Sequence, residues 1–344
     1  MSDVAVVVLN FNGRHLLDDC LGSLSLLHTQ VQIVLADNGS TDGSVGYVRE
    51  HYPAVHTLDL GRNLGFAAGY NHALAQVDCP WLVLVNNDAA LEPDWVEHLL
   101  AWAANRPRAA ILGGKLLFET GAAAEQGIIQ SAGASFTDAG TAFEIGWGEV
   151  DQGQYDRPRL VGAIPGAALL VRRQVFFELG GFDADYGAYL EDVDLCWRAW
   201  LHGYEVHYVP TAVARHQYGA SSGGRRSPYR IKLMQRNRLA NMAKNLQTVS
   251  LAPAIAVSLA YDAYRVLEYG RRGQATALQA LAAGSLAFWQ SMPATLARRA
   301  EVQRTRVVDD SSLRQRDLLM SAMAAFREYR RLDKTPQPVP AAPA

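Results

Sequence analysis

The sequence predicts an α/β chain: a mostly parallel sheet with helices on both faces, followed by a C-terminal helical region. Three observations carry this. The runs "VAVVVLN" (4–10), "VQIVLAD" (31–37), "WLVLVN" (81–86) and "AALLVRR" (167–173) are short, apolar and non-alternating, as strands covered on both faces are. Leu16, Leu17, Cys20, Leu21 and Leu24 recur at helical spacing after the first run, as do Trp95, Val96, Leu99, Leu100 and Ala103 after the third. From about residue 225 the chain becomes basic and helical in pattern. Strand–helix–strand order implies parallel pairing.

Each element follows from its residues. At 344 residues and 49% hydrophobic, the chain can bury a substantial core. "MSDVAVVVLNFNG" has no basic start or small-residue cleavage site, so it reads as a first strand and not as a signal peptide. Cys20, Cys79 and Cys196 are odd in number and far apart, which argues against a disulfide framework or structural zinc and for a reducing cytoplasm. A helix is expected to open near Pro93, and another at Glu191, where Val193, Cys196, Trp197, Trp200 and Leu201 form one apolar face. Asp194 with Arg198 then reads as an i,i+4 surface pair. The uncharged stretch 273–297 raises the question of a membrane span, but its Gln, Ser and Pro residues favour helices packed on the body or lying in a membrane interface. Residues 335–344 are Pro/Ala-rich and expected to be disordered.

Charge is unevenly distributed. Residues 1–224 hold 12 Lys+Arg against 26 Asp+Glu, and residues 225–344 hold 20 against 8. A basic segment can face nucleic acid, anionic lipid or an acidic substrate. No zinc-finger, KH or RRM signature supports nucleic acid, and the apolar helices suit a membrane surface better.

In parallel sheets ligands bind at the carboxyl ends of the strands. Asn10, Asp37, Asn86, Asn87 and Asp88 lie at those ends and should converge on one crevice. Asp88 can hold Mg2+ or Mn2+ against a diphosphate, or simply turn the chain. Glu191 and Asp192 fall in a helix first turn, where the dipole favours carboxylates; an ionised one there can act as a general base. His216 follows the expected strand 205–210 in a polar, turn-like setting, as a surface residue or a ligand. Arg62 and Asn63 precede glycines in "LGRNLGFAAGYN", which has neither dinucleotide nor P-loop spacing; a tight loop or a diphosphate seat both fit.

Together "VVVLNFNG", "IVLADNGSTDGS", "GRNLGFAAGYN", "LVNNDAALEPDW", "IPGAALLVRR", "ELGGFDADYGAYLEDVDLCWRAWLHGY" and "ARHQYGASSGG" resemble glycosyltransferase family 2 enzymes of the GT-A fold, particularly the rhamnosyltransferase-like members that build bacterial surface polysaccharides. The resemblance spans residues 4–224. It implies a GT-A catalytic domain over 1–224, with a nucleotide-sugar half at about 1–110 and an acceptor half at about 111–224, then a helical region 225–334. It also implies that Asp88, with His216, holds Mg2+ or Mn2+, and that Asn10, Asn12, Asp37, Arg62, Asn63, Asn86 and Asn87 bind the nucleotide-sugar. Asp192 is implied as the base of an inverting transfer, with Glu191, Gly166 and Ala167 on the acceptor side. Asn86-Asn87-Asp88 departs from the stricter DxD pattern by offering amides in place of a second acid. The implied donor is dTDP-rhamnose or a UDP-sugar and the acceptor a glycan or polyprenyl-linked sugar. The implied setting is the cytoplasmic face of the bacterial inner membrane. A non-catalytic nucleotide- or glycan-binding module and a sugar-phosphate nucleotidyltransferase are the competing readings; the latter's Gly-rich basic start is missing after "VAVVVLN".

Overall fold

The strands are β1 (Val4–Asn10), β2 (Gln32–Asp37), β3 (His56–Asp59), β4 (Trp81–Asn86), β5 (Ala89–Leu91), β6 (Ala109–Phe118), β7 (Ile129–Ser131), β8 (Ala134–Thr137), β9 (Ala142–Glu144), β10 (Arg159–Leu160), β11 (Ala168–Arg172) and β12 (Glu205–His216). Among them run α1 (Leu17–Ser25), α2 (Ser44–His51), α3 (Phe66–Leu74), α4 (Trp95–Ala104), α5 (Gly121–Glu125), α6 (Arg173–Glu178) and α7 (Glu191–Leu201). The C-terminal helices are α8 (Pro228–Asn245), α9 (Thr248–Arg271), α10 (Ala275–Gln290), α11 (Met292–Thr305) and α12 (Asp310–Gln315). This computed structural model describes residues 2–119, 121–218, 227–321 and 324–328. The expected tail at 335–344 and the expected boundary at 224/225 lie outside the described residues.

The main sheet has the order β10-β12-β6-β11-β4-β1-β2-β3, with β5 added to β12 and β7 to β6. β3, β2, β1 and β4 are mutually parallel, and β12 is parallel to β6. Alternate residues of β1 and β4 serve opposite cores. Val6, Val8, Val83 and Val85 pack with Leu17, Leu21 and Trp95, while Ala5, Val7, Leu82 and Leu84 pack with Ala67, Tyr70 and Phe176. A strand buried on both faces needs an unbroken apolar run, which is why no alternation is visible.

One expected strand runs the other way. β11 is antiparallel to both β4 and β6. Returning to the far edge of a sheet takes a crossover of a dozen or more residues, usually helical, and between β6 and β11 the chain forms only the short α5 and small strands. Its N-terminal end therefore meets the carboxyl ends of its neighbours, and residues 166 and 167 arrive at the crevice. Three boundaries also shift. The helix after Pro93 begins at Trp95, residue 173 opens α6, and the strand expected at 205–210 continues to His216.

Part of the charge of the basic C-terminal region is paired with the acidic body. Ser227 caps α8 by accepting from the Arg230 N–H at 3.2 Å, with Pro228 in the first turn. From the buried face of α8, Lys244 Nζ lies 2.7 Å from Asp183 Oδ2 and 2.8 Å from Asp194 Oδ1. Arg298 of α11 pairs with Asp183 and reaches Asp185 Oδ2 at 2.9 Å, and Arg314 reaches Asp138 at 2.7 Å. Acidic body and basic helices thus partly neutralise one another. The Asp194–Arg198 pair expected on the surface is buried: Asp194 has 0% exposure and receives Arg198 Nε at 2.8 Å and Asn245 Nδ2 at 3.0 Å. The apolar stretch 273–297 is two helices, α10 and α11, broken at Ser291. Among the described residues no helix is long and apolar enough to cross a membrane.

Arg198 and Lys244 hold the Asp194 carboxyl down at about 2, against an ordinary 3.8, despite its burial. Because the folded value is the lower one, the ionised pair stabilises the fold fully above the ordinary value, and that contribution is lost as pH falls toward 2. Lys244→Met should lower the unfolding free energy by about 3–5 kcal/mol at neutral pH, read by urea denaturation, because it leaves buried carboxylates undercompensated. The deficit relative to wild type should shrink as the pH is lowered through the acid range.

Candidate active site

At the carboxyl ends of β1, β2 and β4 the expected polar residues do meet. Asn87 Nδ2 donates to Asn10 Oδ1 at 2.9 Å, and Asn10 Nδ2 donates to Asp37 Oδ1 at 3.2 Å. Asp37 Oδ2 accepts the Ser40 N–H at 2.9 Å. Asn12, at φ 50°, receives the Thr41 N–H at 2.8 Å and fixes the loop above. The loop 61–65 is seated by Asn38, which the sequence reading missed. Its Nδ2 donates to Asn63 Oδ1 at 3.2 Å and Gly65 O at 3.1 Å, while its Oδ1 accepts from Leu64 N at 2.8 Å. Gly39 makes this approach possible: its φ is 81°, and a Cβ there would lie 2.7 Å from Arg62 Cα. Arg62 itself is exposed at the rim.

Asp88 leaves β4 through a turn into β5, as the turn reading expects. It is buried, and His216 Nε2, at the end of β12, lies 3.1 Å from its Oδ1. The two are close but not aligned as a hydrogen bond, and Asp88 Oδ1 accepts none. On the other side of the imidazole, Gln130 of β7 contacts His216 Nδ1 at 2.9 Å. A partner on one ring nitrogen orients the ring, and the other nitrogen, Nε2, is also contacted by Asn86 Nδ2 at 3.5 Å. A buried carboxylate oxygen lacking a donor, beside an oriented imidazole nitrogen, fits a divalent cation. Among the described residues no group of three or more His, Cys, Asp or Glu could hold an ion unaided. Mg2+ and Mn2+ take such sparse protein sites when substrate phosphates and waters complete the shell. Far from following a strand in an open turn, His216 is therefore a buried strand residue.

Asp192 comes to the same crevice by way of β11. Its Oδ2 accepts the Gly166 N–H at 2.8 Å and its Oδ1 the Val193 N–H at 2.7 Å; the adjacent Ala167 carbonyl accepts the Asn86 N–H at 3.0 Å. Gly166 borders Asp192 and Phe66, whereas Ala167 is buried and contributes through its backbone. Burial holds the Asp192 carboxyl above the ordinary 3.8, opposed by the Gly166 and Val193 N–H bonds. Glu191 is more deeply buried, with Oε2 lacking a hydrogen bond; burial and then Asp192 push it well above the ordinary carboxylate range. Two adjacent carboxyls in such a place are raised unequally, Glu191 further than Asp192.

The turn delivering this pair is strained. Tyr189 and Leu190, neither of them glycine, have φ of 70° and 67°. Asn237 of α8 clamps the turn by donating to the carbonyls of Tyr186, Ala188 and Tyr189 at 3.1, 2.9 and 2.7 Å. Arg236 donates to the Tyr186 carbonyl at 2.6 Å, and Tyr186 OH donates to Asn241 Oδ1 at 2.6 Å. The available signal was the amide series Asn237, Asn241 and Asn245, four residues apart on one helix face.

Comparison with known proteins agrees with this geometry. The family described as "Glycosyl transferase family 2" matches over residues 5–173. An N-acetylglucosaminyl-diphospho-decaprenol L-rhamnosyltransferase of Mycobacterium tuberculosis is 34% identical over 243 residues, which cover 65% of this chain and 79% of that protein. The chain belongs to glycosyl transferase family 2. GalNAc-T7, solved with UDP, GalNAc and Mn2+, superposes with a TM-score of 0.54 at 16% identity, covering 70% of this chain and 48% of its own. A mannosyltransferase of Pyrobaculum calidifontis, solved with GDP-Man and Mn2+, gives 0.50 at 18% identity, covering 97% and 88%. These likenesses establish a GT-A fold for the family 2 chain, followed by its helical region.

The Gln130–His216 contact generates a measurable expectation. Gln130→Leu should weaken Mn2+ binding in the presence of a nucleoside diphosphate by about 10–100-fold, the usual cost of losing such an outer partner. Calorimetric titration reads it, and unchanged affinity would remove His216 from the ligand set.

Proposed function

We propose that this glycosyltransferase moves a sugar, with inversion, from a pyrimidine nucleotide-sugar to a hydroxyl of a glycan or lipid-linked acceptor, in cell-surface polysaccharide synthesis. The observation that carries the reading is Asp192: a carboxylate at a helix N-terminus, held by two backbone N–H groups beside the end of β4. The donor proposed is dTDP-rhamnose or a UDP-sugar. In support stands the rhamnosyltransferase relative, whose name gives a lipid-diphosphate acceptor. Residues 1–110 take the nucleotide-sugar half and 111–224 the acceptor half. The chain works at the cytoplasmic face of the inner membrane.

In this mechanism Asn10, Asn12, Asp37, Arg62, Asn63, Asn86 and Asn87 bind and orient the donor, with Asp37 facing the pyrimidine. Asp88 and His216 would hold Mg2+ or Mn2+, which when bound neutralises charge on the diphosphate. Glu191, Gly166 and Ala167 shape the acceptor side. Asp192 accepts the proton of the acceptor hydroxyl while that oxygen attacks the anomeric carbon from the face opposite the diphosphate. The carbon–diphosphate bond breaks, the nucleoside diphosphate leaves, and the anomeric centre inverts. Burial, and then Asp192, raise the Glu191 carboxyl well above the ordinary range, which disfavours a second negative charge where the hydroxyl must approach.

Asp192→Asn should lower kcat by at least about 100-fold, within the range general bases contribute, while leaving nucleoside diphosphate affinity within about twofold. A binding module would lose neither. For the wild type, kcat/KM should fall as pH drops through a value above 3.8, because the raised Asp192 carboxyl must be ionised to act. An acid limb at or below the ordinary value would exclude Asp192 as the base.

A further inference from the structure

The polarity of α9 is reversed after its first turns. A helix packed on a body ordinarily turns its apolar stripe inward. Here the inward stripe puts Leu251 and Ala254 on the core in its first turns and then turns polar, with Ser258, Asp262 and Arg265 meeting a polar face of α8. Arg238 pairs with Asp262 and donates to Ser258 Oγ at 2.7 Å; Gln235 Nε2 reaches Asp262 Oδ2 at 3.1 Å and, on α10, Ser285 Oγ at 3.0 Å. Arg265 donates to Gln235 Oε1 at 3.0 Å. The apolar residues point outward at helical spacing instead. Val249 is 80% exposed and Leu259 64%, with Ile255, Val266 and Leu267 also exposed. On α10, which packs against α8 through Ala277, Ala280 and Leu281 on Ile231, Trp289 is 65% exposed.

We infer that the outward face of α9 is a docking surface for an anionic lipid bilayer. An apolar stripe in water is a standing cost that burial removes. Among the described residues no helix is long enough to cross, so the face lies in the interface and does not span it. Charge selects the partner. Between residues 248 and 297 the carboxylates are Asp262 and Glu268 alone; the first is bound inward to Arg238 and the second pairs with Arg272 at 2.6 Å. The net charge presented at the end of the stripe is cationic: Arg272 is balanced by Glu268, and the exposed Arg271 adds to the pair. A second copy meeting this face would offer those arginines no acid from its own stripe, whereas a phosphate headgroup layer does. The proposal rests on the glycosyltransferase reading only for its purpose, access to a lipid-linked acceptor.

The test is flotation of the full chain with phosphatidylglycerol/phosphatidylethanolamine vesicles and with pure phosphatidylcholine vesicles, alongside the Leu259→Glu/Leu267→Glu double variant. Both changes lie in water, so a thermal melt should be unaltered. Wild type should float with the anionic vesicles, less with the neutral ones, and the double variant should float at least about tenfold less. Failure of wild type to float, or equal flotation of the variant, overturns the proposal. So does a wild-type dimer in light scattering that the variant converts to monomer, since the occupant would then be a second copy. Donor hydrolysis without lipid is read separately, and both proteins should turn over donor equally. Absent hydrolysis with intact flotation would count against the catalytic reading and leave the docking surface standing.

Discussion

Asp194 is a carboxylate with no exposed surface, and the geometry of the site depends on what holds it. Arg198 grips it from its own helix, Lys244 and Asn245 from α8. An unpaired charge at that depth would cost several kcal/mol, so α7 and α8 must dock together or neither docks well. Docking brings Asn237 onto the three carbonyls of the turn 186–189, and that clamp holds Tyr189 and Leu190 in the left-handed region. Two residues further on stands Asp192. The C-terminal helices therefore work from a distance: they hold the turn before Asp192 in a conformation that its own sequence disfavours.

The second constraint is topological. A doubly wound sheet delivers side chains from strand carboxyl ends, which accounts for Asn10, Asp37 and Asp88. Asp192 and Gly166 arrive differently, because β11 enters the sheet antiparallel and starts at the crevice. The end of β4 and the start of β11 are thereby joined at the crevice through a backbone hydrogen bond, Asn86 N–H to the Ala167 carbonyl. A shift of that pairing by one residue would move Gly166, and with it the N–H that aims Asp192.

Much of this was legible in the sequence, for physical reasons. Strands β1, β2 and β4 announce themselves because both faces are buried, and α7 because Val193, Trp197 and Trp200 share a face. The direction of β11 was not legible: an apolar run carries no sense of direction, and only the lack of a crossover helix before it decides. The surface reading of Asp194–Arg198 failed because i,i+4 spacing does not report what packs on top. Lys244 lies fifty residues downstream. Gln130 and Asn237 were invisible individually, since amides act through the geometry of their partners and not through local pattern. The basic C-terminal segment was visible as charge, yet its partners, Asp183, Asp185 and Asp138, lie within the acidic body that the same count had set apart.

The most direct test of the account is donor turnover. Purified protein would be incubated with UDP-, dTDP- and GDP-sugars and a divalent cation, and nucleoside diphosphate release measured with and without EDTA. The account predicts slow release from a pyrimidine nucleotide-sugar, abolished by EDTA and restored by Mn2+ or Mg2+. Release that is indifferent to EDTA would contradict the role given to Asp88 and His216, and absence of both release and binding across the panel would contradict the catalytic reading itself.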